Sequence, residues 1–401
     1  MSVTTSSKKV QFQALTGLRF FLALWVVVYH QATQPVGGML TPVMQTFPTV
    51  IQSFLRLGYT PVSVFFVLSG FVLAYSYSLE TVFDSGAIWK YAAARFARIY
   101  PAYLAALISI ATFILPSNLS SMTNLDVAKA GLSFLMLQAW VPETAICWNC
   151  PGWSISVEMF FYTIFPSLGV SLWKLSSRKS LLRGAAVLWA LSLLLPLWAV
   201  LTKQEGLWNL SALQQISLSN QLALFVSFHP LVRLPEFCFG ILLARIYFDL
   251  SKENSLLVGR GHLFYLPAIG IILGSILFAP GNVPRPLMNS GLLLPVYGML
   301  ILGLALGGGW VAGFPGHPIV AYGGSASYST YILHYPIACY FQLIFLLGLA
   351  PIGVFATCVY LVVLVAITCL FHRFFEEPVY RLLKPELIRF GKFAQTSLAS
   401  R

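Results

Sequence analysis

An arginine and a histidine share one apolar run near the start of the chain, Gly17-Leu18-Arg19-Phe20-Phe21-Leu22-Ala23-Leu24-Trp25-Val26-Val27-Val28-Tyr29-His30. A step of eleven residues is almost three whole helical turns, so both side chains face the same way, about 16 Å apart along the axis. An ionisable group in hydrocarbon costs several kcal/mol unless it faces a polar cavity. The pair therefore marks a site inside a membrane-embedded bundle, and an imidazole there suits proton transfer near neutral pH. A second polar line lies on one helical face at Ser154, Glu158 and Tyr162, spaced i, i+4 and i+8 in Trp153-Ser154-Ile155-Ser156-Val157-Glu158-Met159-Phe160-Phe161-Tyr162. Glu158 can serve as a base, as the orienter of a histidine, or as half of a structural ion pair. Arg95 and Arg98 stand at i and i+3; two guanidiniums so placed clamp a phosphate or anchor the chain at lipid head groups. His334, flanked by Tyr331 and Tyr335, is a second catalytic group, a substrate contact, or a hydrogen-bonded core histidine. Arg233 and Glu236 are expected to pair, with each other or with a neighbour, near the outer face. Cys147-Trp148-Asn149-Cys150 could close a small disulfide, but it lacks the two further ligands a zinc site needs, so no metal is expected.

The elements that must hold these residues are membrane helices. Of 401 residues, 58% are hydrophobic and only 9% charged, with 10 Trp and 18 Tyr available for interfacial belts. Mean hydropathy is +0.80. Apolar stretches cover 14–35, 60–79, 99–115, 153–173, 181–202, 234–248, 263–280, 292–310, 328–349 and 352–371. The stretch 127–140 is too short to span comfortably and reads as interfacial or re-entrant. The expected fold is all-α: a polytopic bundle of about ten transmembrane helices.

Charge decides the topology. With 127–140 left out of the spans, only Arg56, Lys129, Lys203, Arg233 and Arg285 fall on the far side, and 19 of the 24 basic residues share the side of the termini. That bias places both termini in the cytoplasm. A cytoplasmic tail over 1–13, a membrane domain over 14–381 and a basic cytoplasmic tail over 382–401 follow. The net charge of +12 is scattered between apolar runs, which argues for membrane lipids rather than nucleic acid as its partner.

Several chemistries are excluded by absence. No GxGxxG fingerprint, Walker A loop, GxSxG elbow or His-x4-Asp pair occurs. Two classes stay open on the residues alone: a membrane-embedded enzyme, or a secondary transporter or flippase for a polar or lipid-linked substrate, in which buried Arg, His and Glu are equally at home. No inverted repeat is visible to favour the carrier.

Taken together and in order, seven segments resemble the acyltransferase-3 family of integral-membrane acyltransferases. They are Arg19-x10-His30, Ser69-Gly70-Phe71, Arg95-x2-Arg98 before Tyr100-Pro101, the Trp153–Tyr162 segment, Arg233-Leu234-Pro235-Glu236-Phe237, Ser327-Tyr328-x2-Tyr331-x2-His334-x-Pro336, and Glu377-Pro378. The resemblance implies transfer of an acyl group, often acetyl, from cytoplasmic acyl-CoA to a hydroxyl of a carbohydrate or lipid-linked glycan, in a bacterial inner membrane. Acyl-CoA would be a donor substrate, with no cofactor bound permanently. The resemblance puts His30 at the reaction centre, with Glu158, and makes Arg95 and Arg98, with Arg19, the donor-binding groups. Where the family commonly carries a second Glu, this chain has Met159. Some members add a soluble SGNH-type domain; this chain has no room for one and is expected to act alone. Trp153, Ser154, Tyr162, Tyr331 and His334 are the expected substrate contacts, Trp153 by stacking on a sugar ring. His30 would act as general base, or as a transient acyl carrier, with Glu158 orienting it or the acceptor.

Overall fold

The computed structural model describes residues 4–34, 38–77, 85–118, 123–202, 218–253, 255–347 and 352–399. Lys203, counted above among the outer basic residues, lies outside them. Among the described residues the chain is helical, with no strand. Helix α1 (Thr4–Thr33) carries the Arg19/His30 face; α2 (Thr49–Arg56) and α3 (Pro61–Ser76) form a pair bent by 43°; α4 (Ser85–Asn118) carries Arg95 and Arg98. Then come α5 (Asn124–Phe134), α6 (Trp153–Trp173), α7 (Arg178–Leu201), α8 (Leu218–Phe228) and α9 (Pro230–Lys252). The last part holds α10 (His262–Phe278), the short α11 (Arg285–Asn289), α12 (Leu294–Leu306), α13 (Trp310–Gly313), α14 (Pro318–Ser325), α15 (Ser327–Leu346), α16 (Val354–Phe371) and α17 (Glu377–Ala399).

Among the described residues, six helices are long and apolar enough to cross a membrane, or seven if the bent pair counts as one span. The sequence reading counted more because it scored apolar stretches, whereas helix length and charge content are stricter. The apolar helix α10 has only 17 residues, and α9 spends Arg233, Glu236, Arg245 and Asp249 within one helix. Lipid-facing and internal helices separate clearly. Only 17% of the apolar window of α7 is buried against protein, whereas 78% of the 285–306 window is. The exposed leucines Leu182, Leu194 and Leu201 accordingly lie on α7.

The stretch 127–140 contains no helix long enough to span a bilayer core. Helix α5 starts on a capping box, in which Thr123 accepts from the Asp126 N–H and Asp126 accepts from the Thr123 N–H. The Thr123 hydroxyl, which donates to the Asp126 carboxylate at 2.7 Å, and then the Thr123 N–H hold that carboxyl below the usual range. The helix is 11 residues long, about 16 Å, half of what a bilayer core requires. The chain then turns back through two short 3-10 turns at Gln138–Trp140 and Pro142–Thr144. Buried Gln138 pins this return by donating to Tyr103 Oη at 2.9 Å and to the Gly152 carbonyl at 2.8 Å, just where α6 begins.

At the centre α3 crosses α9, with α6, α7 and α12 packed on α9 and α1 packed on α3, α12, α14 and α15. The crossing is close because glycine faces backbone on both sides. A Cβ on Gly70 would lie 2.1 Å from the Phe237 carbonyl oxygen, and one on Gly240 would lie 2.0 Å from that of Val67. Phe71, Phe161, Phe165 and Phe237 fill the surrounding core, all fully buried. Helix α17 runs on past residue 381 and packs along α4, where Trp89 Nε1 donates to the Leu387 carbonyl at 2.7 Å.

Candidate active site

The polar residues of α1 open onto two levels of the bundle. At the upper level, half-buried His30 meets fully buried His334 of α15: Nδ1 of His30 and Nε2 of His334 lie 2.9 Å apart, and the rings stack at 4.9 Å. His334 Nδ1 lies 2.6 Å from the Tyr331 carbonyl oxygen. A carbonyl only accepts, so Nδ1 of His334 carries the proton. With both rings neutral, Nε2 of His334 then accepts from Nδ1–H of His30, and the lone pair of His30 sits on Nε2. The pair thus sets one tautomer of His30, the one with a basic outer nitrogen.

Local sequence explains how α15 presents His334. Pro336 has no N–H to give to the Ile332 carbonyl. That carbonyl instead accepts from Asn149 Nδ2 at 2.9 Å, which ties the Cys147–Cys150 loop to the turn bearing His334. From α16, Tyr360 donates to the His334 carbonyl at 2.7 Å. Cys147 and Cys150 are free thiols, and burial pushes the Cys147 thiol up.

His30 lies on the wall of a cavity of about 930 Å³. Trp153 and Tyr331 line it, and so do Tyr29, Tyr59, Arg56, Asn282 and Arg285. Every one of these elements sits toward the C-terminal end of α1, the side opposite the N-terminus. Ser154 does not line the cavity: it is buried and donates to Tyr331 Oη at 2.8 Å, supporting the wall from behind.

The lower level gathers the charged motif residues. Glu158 accepts from Ser69 Oγ at 3.1 Å and from the Tyr162 hydroxyl. The Arg95 guanidinium lies over the rings of Tyr162 and Tyr77, 5.8 and 5.9 Å from their centroids. The charge of Arg19 interacts with Glu158, Tyr162, Arg98 and Arg95. Arg98 pairs with Glu376 at 2.6 Å, and Glu376 also accepts from Ser329 and lies 3.0 Å from Nδ1 of His372. The Nε atoms of Arg19 and Arg95 are buried without a hydrogen-bond partner. Neither Arg95 nor Arg98 lines the upper cavity.

This arrangement reassigns neighbours that the spacing suggested. Glu158 is bonded to Ser69 and Tyr162 rather than to His30, whose hydrogen-bond partner is His334. Tyr162 belongs to the Glu158/Arg95 level and not to the cavity wall. Arg233 and Glu236 pair with each other as expected, at 3.2 Å and fully buried, and Arg233 also reaches Ser63 at 2.9 Å. Arg56 and Arg285 were passed over as site residues. Their signal was that they are cations on the side where basic residues are scarce.

The chain belongs to the acyltransferase-3 family: a family model described as an acyltransferase domain matches residues 12–373. Acyltransferase MdmB of Streptomyces mycarofaciens is 35% identical over 160 residues, a stretch covering 39% of this chain and 39% of MdmB. O-acetyltransferase OatA of Staphylococcus aureus (strain NCTC 8325 / PS 47) is 23% identical over 385 residues, covering 91% of this chain and 56% of OatA. Each match covers less than two thirds of the relative's own length. No solved structure matches.

Proposed function

We propose that this protein is a multi-pass enzyme of the bacterial inner membrane, with about ten spans and both termini cytoplasmic. It moves an acyl group, acetyl foremost, from cytoplasmic acyl-CoA to a hydroxyl of a carbohydrate or lipid-linked glycan. The observation that carries this reading is His30 on the cavity wall, backed by fully buried His334, with the lone pair of His30 left on Nε2. His30 accepts the acceptor's hydroxyl proton as that oxygen attacks the thioester carbonyl. The C–S bond breaks, the acyl group stays on the acceptor oxygen, and the proton passes to the CoA thiolate. An acyl-imidazole relay through the same nitrogen is the covalent variant.

The lower level is the donor end. Arg19 and Arg95 hold buried donors without partners, and with Arg98 they form a cationic group suited to the diphosphate of a CoA ester. The separation of Arg19 from His30, about 16 Å, is left for the pantetheine arm to bridge. Glu158 and Tyr162 hold this group in place, while Trp153 and Tyr331 shape the acceptor end.

The test is CoA release and label transfer from radiolabelled acetyl-CoA by the purified chain. Wild type transfers label, and His30→Ala loses about 10²–10⁴-fold of the rate while keeping its thermal unfolding profile. Normal turnover by His30→Ala overturns the assignment. Uptake of a polar substrate into vesicles without CoA release makes the protein a carrier instead, the reading that its buried charges and one-sided cavity would also serve.

A further inference from the structure

Two arginines on the cavity wall take no part in the transfer step. They are Arg285, at the start of α11, and Arg56, at the end of α2. Both are among the five basic residues on the side that the positive-inside bias depletes, yet they converge on one cavity. No Asp or Glu lines that cavity. Arg56 is exposed at the rim, and a lipid-phosphate anchor would explain it alone. Arg285 is different: it is half-buried, its guanidinium lies 4.3 Å from the centroid of the Tyr59 ring, and Nη2 donates to Tyr29 Oη at 3.0 Å. The Tyr29 ring in turn lies 5.0 Å from that of His30. A cation held by two tyrosines thus shares the cavity wall with His30, and among the described residues it has no carboxylate partner. Among the described residues, one of its five guanidinium N–H donors is engaged.

We propose that this cavity selects an acceptor bearing an oxyanion, a carboxylate or a phosphate ester, which docks on Arg285 with Arg56 at the rim while a hydroxyl of the same molecule faces His30. The inference rests on the cavity being the acceptor site of the proposed transferase. A planar guanidinium fork held by an aromatic face and a hydroxyl is pre-organised for bidentate oxyanion binding. The volume of about 930 Å³ accommodates a charged sugar with part of its aglycone.

Binding is measured on the purified full chain by thermal shift and calorimetry, at equal ionic strength, with methyl glucuronide, glucose 6-phosphate and neutral methyl glucoside. At least one anionic sugar binds about tenfold or more tightly than the neutral one, and the stronger of the two identifies carboxylate or phosphate. Arg285→Gln removes the preference, Arg56→Gln weakens it, and His30→Ala keeps it. Equal affinity for charged and neutral sugars overturns the inference, as does an undiminished preference in a folded Arg285→Gln protein. Because binding is read without turnover, the two readings fail separately. Anion-selective binding with no acyl transfer removes the enzyme reading and leaves the site; transfer without anion preference does the reverse.

Discussion

The proposed transfer turns on which nitrogen of His30 is bare. His334 decides that through one hydrogen bond, and the Tyr331 carbonyl decides the tautomer of His334. If this relay is the purpose of His334, removing it harms the rate more than donor binding. His334→Ala is expected to slow transfer by more than about tenfold with the KM for acyl-CoA unchanged. His334→Gln, whose amide oxygen accepts the same N–H, recovers part of the rate. Equal defects in both variants would argue that His334 acts by packing alone. His30 itself was legible in sequence, because an imidazole in an apolar helix needs a reason to be there. Its partner was not: 304 residues separate the two rings, and no local pattern links them.

Helices α3 and α9 set the frame on which both levels of the site hang. Their close crossing brings the Arg233–Glu236 pair of α9 to Ser63 of α3, and Ser69 of α3 reaches Glu158 on the neighbouring α6. Gly70→Val would drive a side chain into the Phe237 backbone. Overpacking of this kind costs about 1–3 kcal/mol, so a lower unfolding midpoint in detergent is expected, with activity lost in parallel. An unchanged midpoint would mean the helices separate freely there. Ser69-Gly70-Phe71 was readable as a motif, but its physical role as a crossing point was not, since a glycine's neighbour across a bundle leaves no trace in its own sequence. The π-helical turn His372–Glu376 is a similar case. Glu376-Glu377-Pro378 reads either as a balance for the arginines on the side of the termini or as a helix-terminating charge cluster, and in the structure Glu376 pairs with Arg98 and is 2% exposed.

For the whole molecule the firmest prediction concerns sidedness. Reporter fusions at both ends should be active only in the cytoplasm, and a cysteine placed at Arg56 should react with an impermeant reagent from the opposite face. Termini on opposite faces would overturn the 19-to-5 charge reading, and with it the assignment of the cavity to the acceptor side. Composition and pattern determined the membrane class and the helical fold, because each follows from how much apolar length the chain offers and where its charges fall. The same pattern singled out Arg19 and His30, because lone polar groups in hydrocarbon are costly, whereas Arg95, Arg98 and Glu158 kept a structural alternative until the family resemblance gave them roles. Only the tertiary structure decided their company. It separated Glu158 from His30, joined His30 to His334, chose Arg98 as the partner of Glu376, and set the scattered Arg56 and Arg285 on one wall. Periodicity along a helix fixes which way a side chain points, but what it meets is set by the packing of distant helices.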